Sequence, residues 1–519
     1  MLQCDGWGGT FVPPLFNLMM YQNMQFLNII SESLARHNSE QAMSMLMTER
    51  SKYLDNPLFW QLLAESQQQE QQYSNAFDSW KKALSIEPSN PRFLFSVAKL
   101  SLQCGLPSSQ LFAELLEKDK FNEELLIGYA HALALEQEHD YALKALSLHF
   151  SQKKPSKNIL KLHADILLLQ SGDAALIDFY KLKIREKIEI DFCYEQLINH
   201  ALLKQNFEHA FVLIDSACKA VGRKKQDPFL IKKAITLSEQ KLDREAFKAF
   251  SALEHCKSVE KDMAIMRMSL RLNQLDSASA ICMHYTQNGF ASTFIPYLSL
   301  IWRLQKSGYQ DWLEKSNQFI RSYEVGLKEQ HINELVDLMT HLHSASNPYL
   351  EQSVRKGTQT DLLLFARQEK AIQDLVALIK PKIMDYIRDL PPHDATHPLL
   401  GRKRDSALNG NIKFSGSWSV KLVKKGHNVS HTHPKGWISA VLYLKVPNKN
   451  QLGPAPNGFL QFGTPPRNLQ LELEHYHQEA PQPGKLVLFP STTWHQTQPF
   501  NDGERIVIAF DVKPPGIQT

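Results

Sequence analysis

Three histidines near the end of the chain have types and spacing suited to metal chemistry: His431, His433 and His495. The first two sit just ahead of the apolar run Trp437–Val446, and the third follows Val487-Leu-Phe-Pro490. In extended chain, residues two apart face the same side, so His431 and His433 point together. His495, on a distant strand, adds a third nitrogen. Three imidazoles on one face of an octahedral metal leave three positions open, as non-haem iron chemistry requires. Ten residues past His495, after the turn Asn501-Asp502-Gly503, Arg505 opens the run Ile506-Val-Ile-Ala-Phe510. An antiparallel return brings its guanidinium near His495, where it can grip a carboxylate bidentately. A metal with a cation on the neighbouring strand suits a keto acid that chelates at one end and is clamped at the other.

A plainer reading stands beside each of these residues. A lone histidine is more often structural than a ligand. Eight lie between His393 and His495, three of them beside one strand, and that clustering shifts the balance towards ligation. His427 shares the parity of His431 and His433 but lies further out. His393, His397, His475 and His477 read as structural. Arg505 could be an ordinary ion-pair partner but for its place after the distal histidine. Trp437 and Trp494 read as core or rim. Tyr443 lies on a strand whose alternate residues face inward, which suits core packing and a cofactor contact equally.

The elements that must hold these residues are short. Runs at Trp418–Val423, Trp437–Val446, Gly458–Phe462, Leu469–Leu473, Lys485–Phe489 and Arg505–Val512 read as strands bounded by Gly, Pro and Asn. Eleven of the 22 glycines fall in the last 119 residues, and 15 of the 26 prolines lie at or beyond Pro391. So many turns between short strands predict a double-sheet jelly roll or cupin-like barrel. One amphipathic helix over 371–390, stopped by Pro391 and Pro392, leads into it.

The first 340 residues read as almost continuous helix. Counted from Pro57, residues Trp60, Leu63, Ala64, Ala76, Trp80, Ala83 and Pro88 take positions 4, 7, 8, 20, 24, 27 and 32 of a 34-residue unit. That is the tetratricopeptide pattern: small residues let paired helices approach, large ones fill between pairs, and proline ends the second helix. Ala142, Ala210, Ala246 and Ala278 continue it in weaker copies, predicting seven to nine helix pairs. Such arrays present a concave surface, so a protein or peptide ligand is expected there. The predicted architecture is multidomain: a leader over 1–24, disordered or an over-extended start, an all-α array over 25–340, and a β domain over 341–519.

Composition narrows the class of protein. A net charge of +4 from 58 basic and 54 acidic residues, with no basic tract, disfavours a nucleic-acid binder. No apolar run is long enough to span a membrane. Cys4, Cys104, Cys193, Cys218, Cys256 and Cys282 stand singly, without a CxxC pair, which favours a reducing compartment and a cytoplasmic protein.

Several stretches, in order, resemble one family. They are Gln352-Ser-Val-Arg-Lys-Gly-Thr-Gln-Thr360, His431-Thr-His-Pro-Lys-Gly-Trp-Ile-Ser439, Leu442-Tyr-Leu444 and Gly458-Phe-Leu-Gln-Phe-Gly463. Pro483-Gly-Lys-Leu-Val-Leu-Phe-Pro-Ser491, Trp494-His495, Arg505 and Ala509-Phe-Asp511 follow. Together they resemble the 2-oxoglutarate/Fe(II)-dependent oxygenases, in particular a bacterial group fused to tetratricopeptide repeats. The resemblance implies a hydroxylase using Fe(II), 2-oxoglutarate and O2. It implies iron ligands at His431, His433 and His495, a 2-oxoglutarate clamp at Arg505, and Tyr443 and Ser439 lining the cosubstrate pocket. The usual family set is two histidines and a carboxylate, with the acid where His433 stands. Asp502, Glu504 or Asp511 could ligate or balance the charge. Two other readings remain: a cupin-like metal enzyme without 2-oxoglutarate, and a tetratricopeptide scaffold without catalysis.

Overall fold

In the computed structural model the described residues are 14–314, 316–343, 353–360 and 362–515. Residues 1–13 of the expected leader lie outside them, and a helix runs from Pro14 to Ala35. The small residues that the repeat pattern demands are fully packed: Ala64, Ala76, Ala83, Ala142, Ala210, Ala246 and Ala278 have no exposed surface. Asn56 caps the helix Pro57–Gln69 by accepting from the Phe59 amide, and Pro57 opens that helix where an amide would be unpaired anyway.

The period is also written in the backbone. His37, Gln71, Gly105, Gln137, Gly172, Gln205, Lys241, Asn273 and Lys306 all have positive φ, and each follows the first helix of a pair. At Gln71 the next amide, Gln72, reaches back to the Gln67 carbonyl at 2.8 Å, and Gln274 reaches Ser269 in the same way. This is the Schellman helix ending, met here mostly without its usual glycine, at a cost of roughly 1–2 kcal/mol each. Sequence alternation does not reveal most of these turns, because Gln, Lys and His carry no strong turn signature.

The chain forms two compact units, one up to Ala132 and one from Leu133 on. The first holds only helices. The second continues with helix pairs as far as Leu304 and then builds two antiparallel sheets. Its strands are β1 (Arg321–Glu324), β2 (Val354–Gln359), β3 (Phe414–Asn428), β4 (Ile438–Lys445), β5 (Leu460–Phe462), β6 (His477–Glu479), β7 (Lys485–Pro490), β8 (His495–Thr497) and β9 (Arg505–Val512). The larger sheet runs β1-β7-β4-β9-β3-β2 and the smaller β6-β5-β8, a jelly-roll-like arrangement.

Alternation along the strands sorts core from site. Ile506, Ile508, Phe510 and Val512 of β9, with Ile438, Ala440, Leu442 and Leu444 of β4, pack under the helix Lys370–Arg388. That helix contributes Ile372, Leu375, Ile379, Ile383, Tyr386 and Ile387 to the same core. The intervening residues, Arg505, Val507, Ala509 and Asp511, turn to the opposite face and line a cavity. At the edge, Gly357 of β2 lies so close to β3 that a Cβ would run into the Lys421 carbonyl and the Leu422 side chain.

Two expectations meet a different structure. Leu469–Leu473 is not a strand: Leu469, Leu471 and Leu473 alternate because they pack against array helices, beside Met266, Leu270, Tyr297 and Ile301. The sheet also begins before residue 341, because β1 supplies an edge and the helix Glu329–Leu342 places Leu335 and Met339 in the sheet's core. Between the last repeats and the β domain there is a joint core and a set of directed bonds. The Trp494 indole donates to the Pro296 carbonyl at 2.7 Å, Lys241 to the Asn468 carbonyl at 2.5 Å, and Arg303 to the carbonyls of Gly463 and Glu474.

Candidate metal centre

The three histidines come together. His431, just past β3, and His495, opening β8, exchange both backbone hydrogen bonds at 3.1 Å. The His433 amide donates to the Ser491 carbonyl at 2.9 Å, which fixes the loop to the end of β7. Ring centroids are 4.2 Å apart for His431 and His495, 5.1 Å for His431 and His433, and 5.0 Å for His433 and His495. One ligand atom from each lies within 4.8 Å of the others.

Hydrogen bonds set the tautomers. His431 Nδ1 lies 2.7 Å from the Val429 carbonyl and His495 Nδ1 3.0 Å from the Thr493 carbonyl, so both nitrogens carry the proton. His433 Nδ1 lies 2.7 Å from Asp511 Oδ1. Each ring is thus held from behind, and its Nε2 lone pair is left for a metal. Burial drives His431 down to about 3, with the neighbouring His433 adding to the effect. Burial, then His431 and His433, hold His495 well below the usual range. Both rings are therefore neutral near pH 7, the form that ligates. This donor set fits a divalent iron with open positions.

Asp511 is the acid that matters here. It is buried, and besides His433 it accepts from the Ser439 hydroxyl at 2.6 Å. It forms a carboxylate–histidine pair with the His433 ring. Glu504 instead pairs with Lys421 and Lys445, and Asp502 lies on the exposed turn before β9. Ser439, expected to line the cosubstrate pocket, sits behind His433 and 2.9 Å from the Ser491 hydroxyl. Its parity on β4 is right, but its register opposite Asp511 sets it in the support of the site. Losing an outer partner of a ligating histidine typically weakens metal binding by about 10–100-fold. Asp511→Asn is expected to fall in that range in an Fe(II) titration, with His431, His433 and His495 unchanged.

The histidines open into a cavity of about 620 Å3, whose walls include Trp418, Val441, Tyr443, Leu460 and Arg505. Arg505 is 2 % exposed. Its Nη1 donates to the Gly458 carbonyl at 2.9 Å, and its Nε has no partner. The Tyr443 hydroxyl is also buried and unpartnered, with its pKa pushed up to about 12 by burial. Ser353, with Arg355 and Gln359 of β2, lines the cavity, and the Ser353 hydroxyl stands 3.4 Å from His431 Nε2. Leu203, at the end of an array helix, reaches the same cavity. Outside it, His427 lies within reach of the Lys425 carbonyl, His397 packs against Trp312 and Phe319, and His477 pairs with Glu479.

Residues 416–511 match the family model described as "Putative 2OG-Fe(II) oxygenase". Among solved structures, the chain is similar to YrrB, a TPR protein with an unusual peptide-binding site, at 12% identity and TM-score 0.29, over 33% of this chain and 89% of that one. A tetratricopeptide repeat protein from Parabacteroides merdae matches at 17% identity and TM-score 0.31, over 46% and 93%. A Pseudomonas putida prolyl-4-hydroxylase matches at 14% identity and TM-score 0.27, over 39% and 96%. No curated protein matches the chain. The chain is thus a tetratricopeptide-like helical array joined to a C-terminal jelly-roll-like domain whose residues 416–511 carry the 2-oxoglutarate/Fe(II) oxygenase family pattern.

Proposed function

We propose that the chain is an Fe(II)- and 2-oxoglutarate-dependent oxygenase, a hydroxylase, in which His431, His433 and His495 hold the metal through Nε2. One observation carries the cosubstrate: two buried donors, Arg505 Nε and the Tyr443 hydroxyl, stand unpartnered in the cavity that the histidines enter. An unsatisfied buried donor costs about 1–3 kcal/mol, more when charged, so such a pair is kept for a ligand. A carboxylate answers both donors, and Arg505 would take it bidentately. Bound Fe(II) would supply activation of O2 coupled to decarboxylation of 2-oxoglutarate to succinate, with oxidation of a substrate C–H bond. The chain's part is to orient the cosubstrate between Arg505 and the metal and to keep that end dry with Val441, Leu460 and Val507.

The array would recruit a protein or peptide substrate to the β domain, and Leu203 in the cavity wall supports that reading. No helix among the described residues is long and apolar enough to cross a membrane. The single spacing of the cysteines, with no CxxC pair, favours a reducing, cytoplasmic setting.

The test is anaerobic. Full-length protein loaded with Fe(II) should develop a visible charge-transfer band on addition of 2-oxoglutarate, and admission of O2 should release succinate. Iron bound without either response would favour a cupin-like enzyme that does not use 2-oxoglutarate. Absence of bound iron would favour a scaffold.

A further inference from the structure

A second cluster of ligand-type side chains lies in the array. Asp227 opens the helix Asp227–Glu239, while His255 and Cys256 sit in the loop after the helix Asp243–Ser251. Asp227 Oδ2 is 3.3 Å from His255 Nε2 and 3.3 Å from Cys256 Sγ, and that Sγ is 3.3 Å from His255 Nε2. The three donor atoms therefore form a nearly equilateral triangle. Tetrahedral zinc, with Zn–S of about 2.3 Å and Zn–N or Zn–O of about 2.0–2.2 Å, sets neighbouring donors roughly 3.3–3.6 Å apart. The triangle matches one face of such a tetrahedron.

The loop is braced for this geometry. Lys261, itself buried, donates from Nζ to the carbonyls of Leu253 at 3.0 Å and Cys256 at 2.5 Å. Ser258 caps the following helix by accepting from the Lys261 amide. The bond from Lys261 to the Cys256 carbonyl braces the loop backbone at that residue without any ion. A nucleophilic Cys–His–Asp relay is a poor alternative, because it needs the imidazole between thiol and acid. Here the thiol donates directly to Asp227, which leaves it protonated rather than activated.

We propose that Asp227, His255 and Cys256 form a zinc site with three protein ligands, its fourth position open to solvent. His255 and Asp227 are substantially exposed, so ion exchange with solution is unobstructed. Such a site ties the loop after one helix pair to the start of that pair's first helix, and its ion is exchangeable rather than locked in.

Cobalt(II) gives a test that the histidine cluster cannot mimic, because only a thiolate produces a near-ultraviolet sulfur-to-cobalt charge-transfer band. Reduced full-length protein titrated with Co(II) should show that band, and the His495→Ala protein should show it equally. Cys256→Ser should abolish it while circular dichroism stays unchanged. Asp227→Asn, which leaves the thiol in place, should keep the band but weaken Co(II) binding by at least about 10-fold. A wild-type protein without the band at millimolar Co(II) would overturn the proposal. So would a band of full strength in Cys256→Ser, which would belong to another cysteine.

Discussion

In the His495→Ala protein, tight Fe(II) binding is expected to be lost while the fold survives. His495 supplies one of three imidazoles whose candidate donor atoms lie within 4.8 Å of one another, and among the described residues this group contains no carboxylate. The loss should exceed the roughly 100-fold upper range seen for outer partners, because a ligand itself is removed. The backbone bonds between residues 431 and 495 do not depend on the side chain, so β8 keeps its place. Metal content after anaerobic loading, with circular dichroism as the fold control, decides this. Wild-type iron stoichiometry in the variant would sink the ligand assignment.

The second large effect belongs to Arg505. Removing one partner of a buried charge-assisted pair costs about 2–5 kcal/mol, which raises the apparent 2-oxoglutarate constant by about 30-fold or more at 1.4 kcal/mol per decade. Arg505→Met keeps the volume and should show this rise with Fe(II) affinity unchanged. Arg505→Lys should recover only part, since an ammonium cannot make the bidentate contact. The metal-free Arg505→Met protein should be at least as heat-stable as the wild type, because an uncompensated buried charge has been removed. A residue kept for folding would behave in the opposite way. Unchanged 2-oxoglutarate dependence in Arg505→Met would refute the clamp.

What could be read from sequence divides along physical lines. The Ile506-Val-Ile-Ala-Phe510 alternation was legible because one face of β9 meets a helix and the other a cavity. The repeat alanines were legible because close helix packing leaves room for nothing larger. Leu469–Leu473 misled because alternation reports two faces, not which partner covers them. Strand β1, Arg-Ser-Tyr-Glu, was hidden because it is short and polar and its partner β7 is remote in sequence. That His431, His433 and His495 lie together was legible from their spacing and from the parity of the first two. That Asp511 stands behind His433, and that Ser439 stands with it, follows from the register of β4 against β9, which no local pattern encodes.

The core shared by the last repeats and the β domain bears on how the chain is made. Phe294, Tyr297 and Ile301 leave the ribosome long before Leu469 and Trp494, the side chains that cover them. Strand β1 likewise waits for β7, with Arg321 opposite Leu488. At about 5–20 residues per second, a gap of roughly 170 residues lasts on the order of 10–30 s. For that interval a finished helical platform carries an uncovered apolar end and an unpaired strand, both open to neighbouring nascent chains. The yield of active protein should therefore follow elongation rate and chaperone supply more closely than the stability of the completed fold.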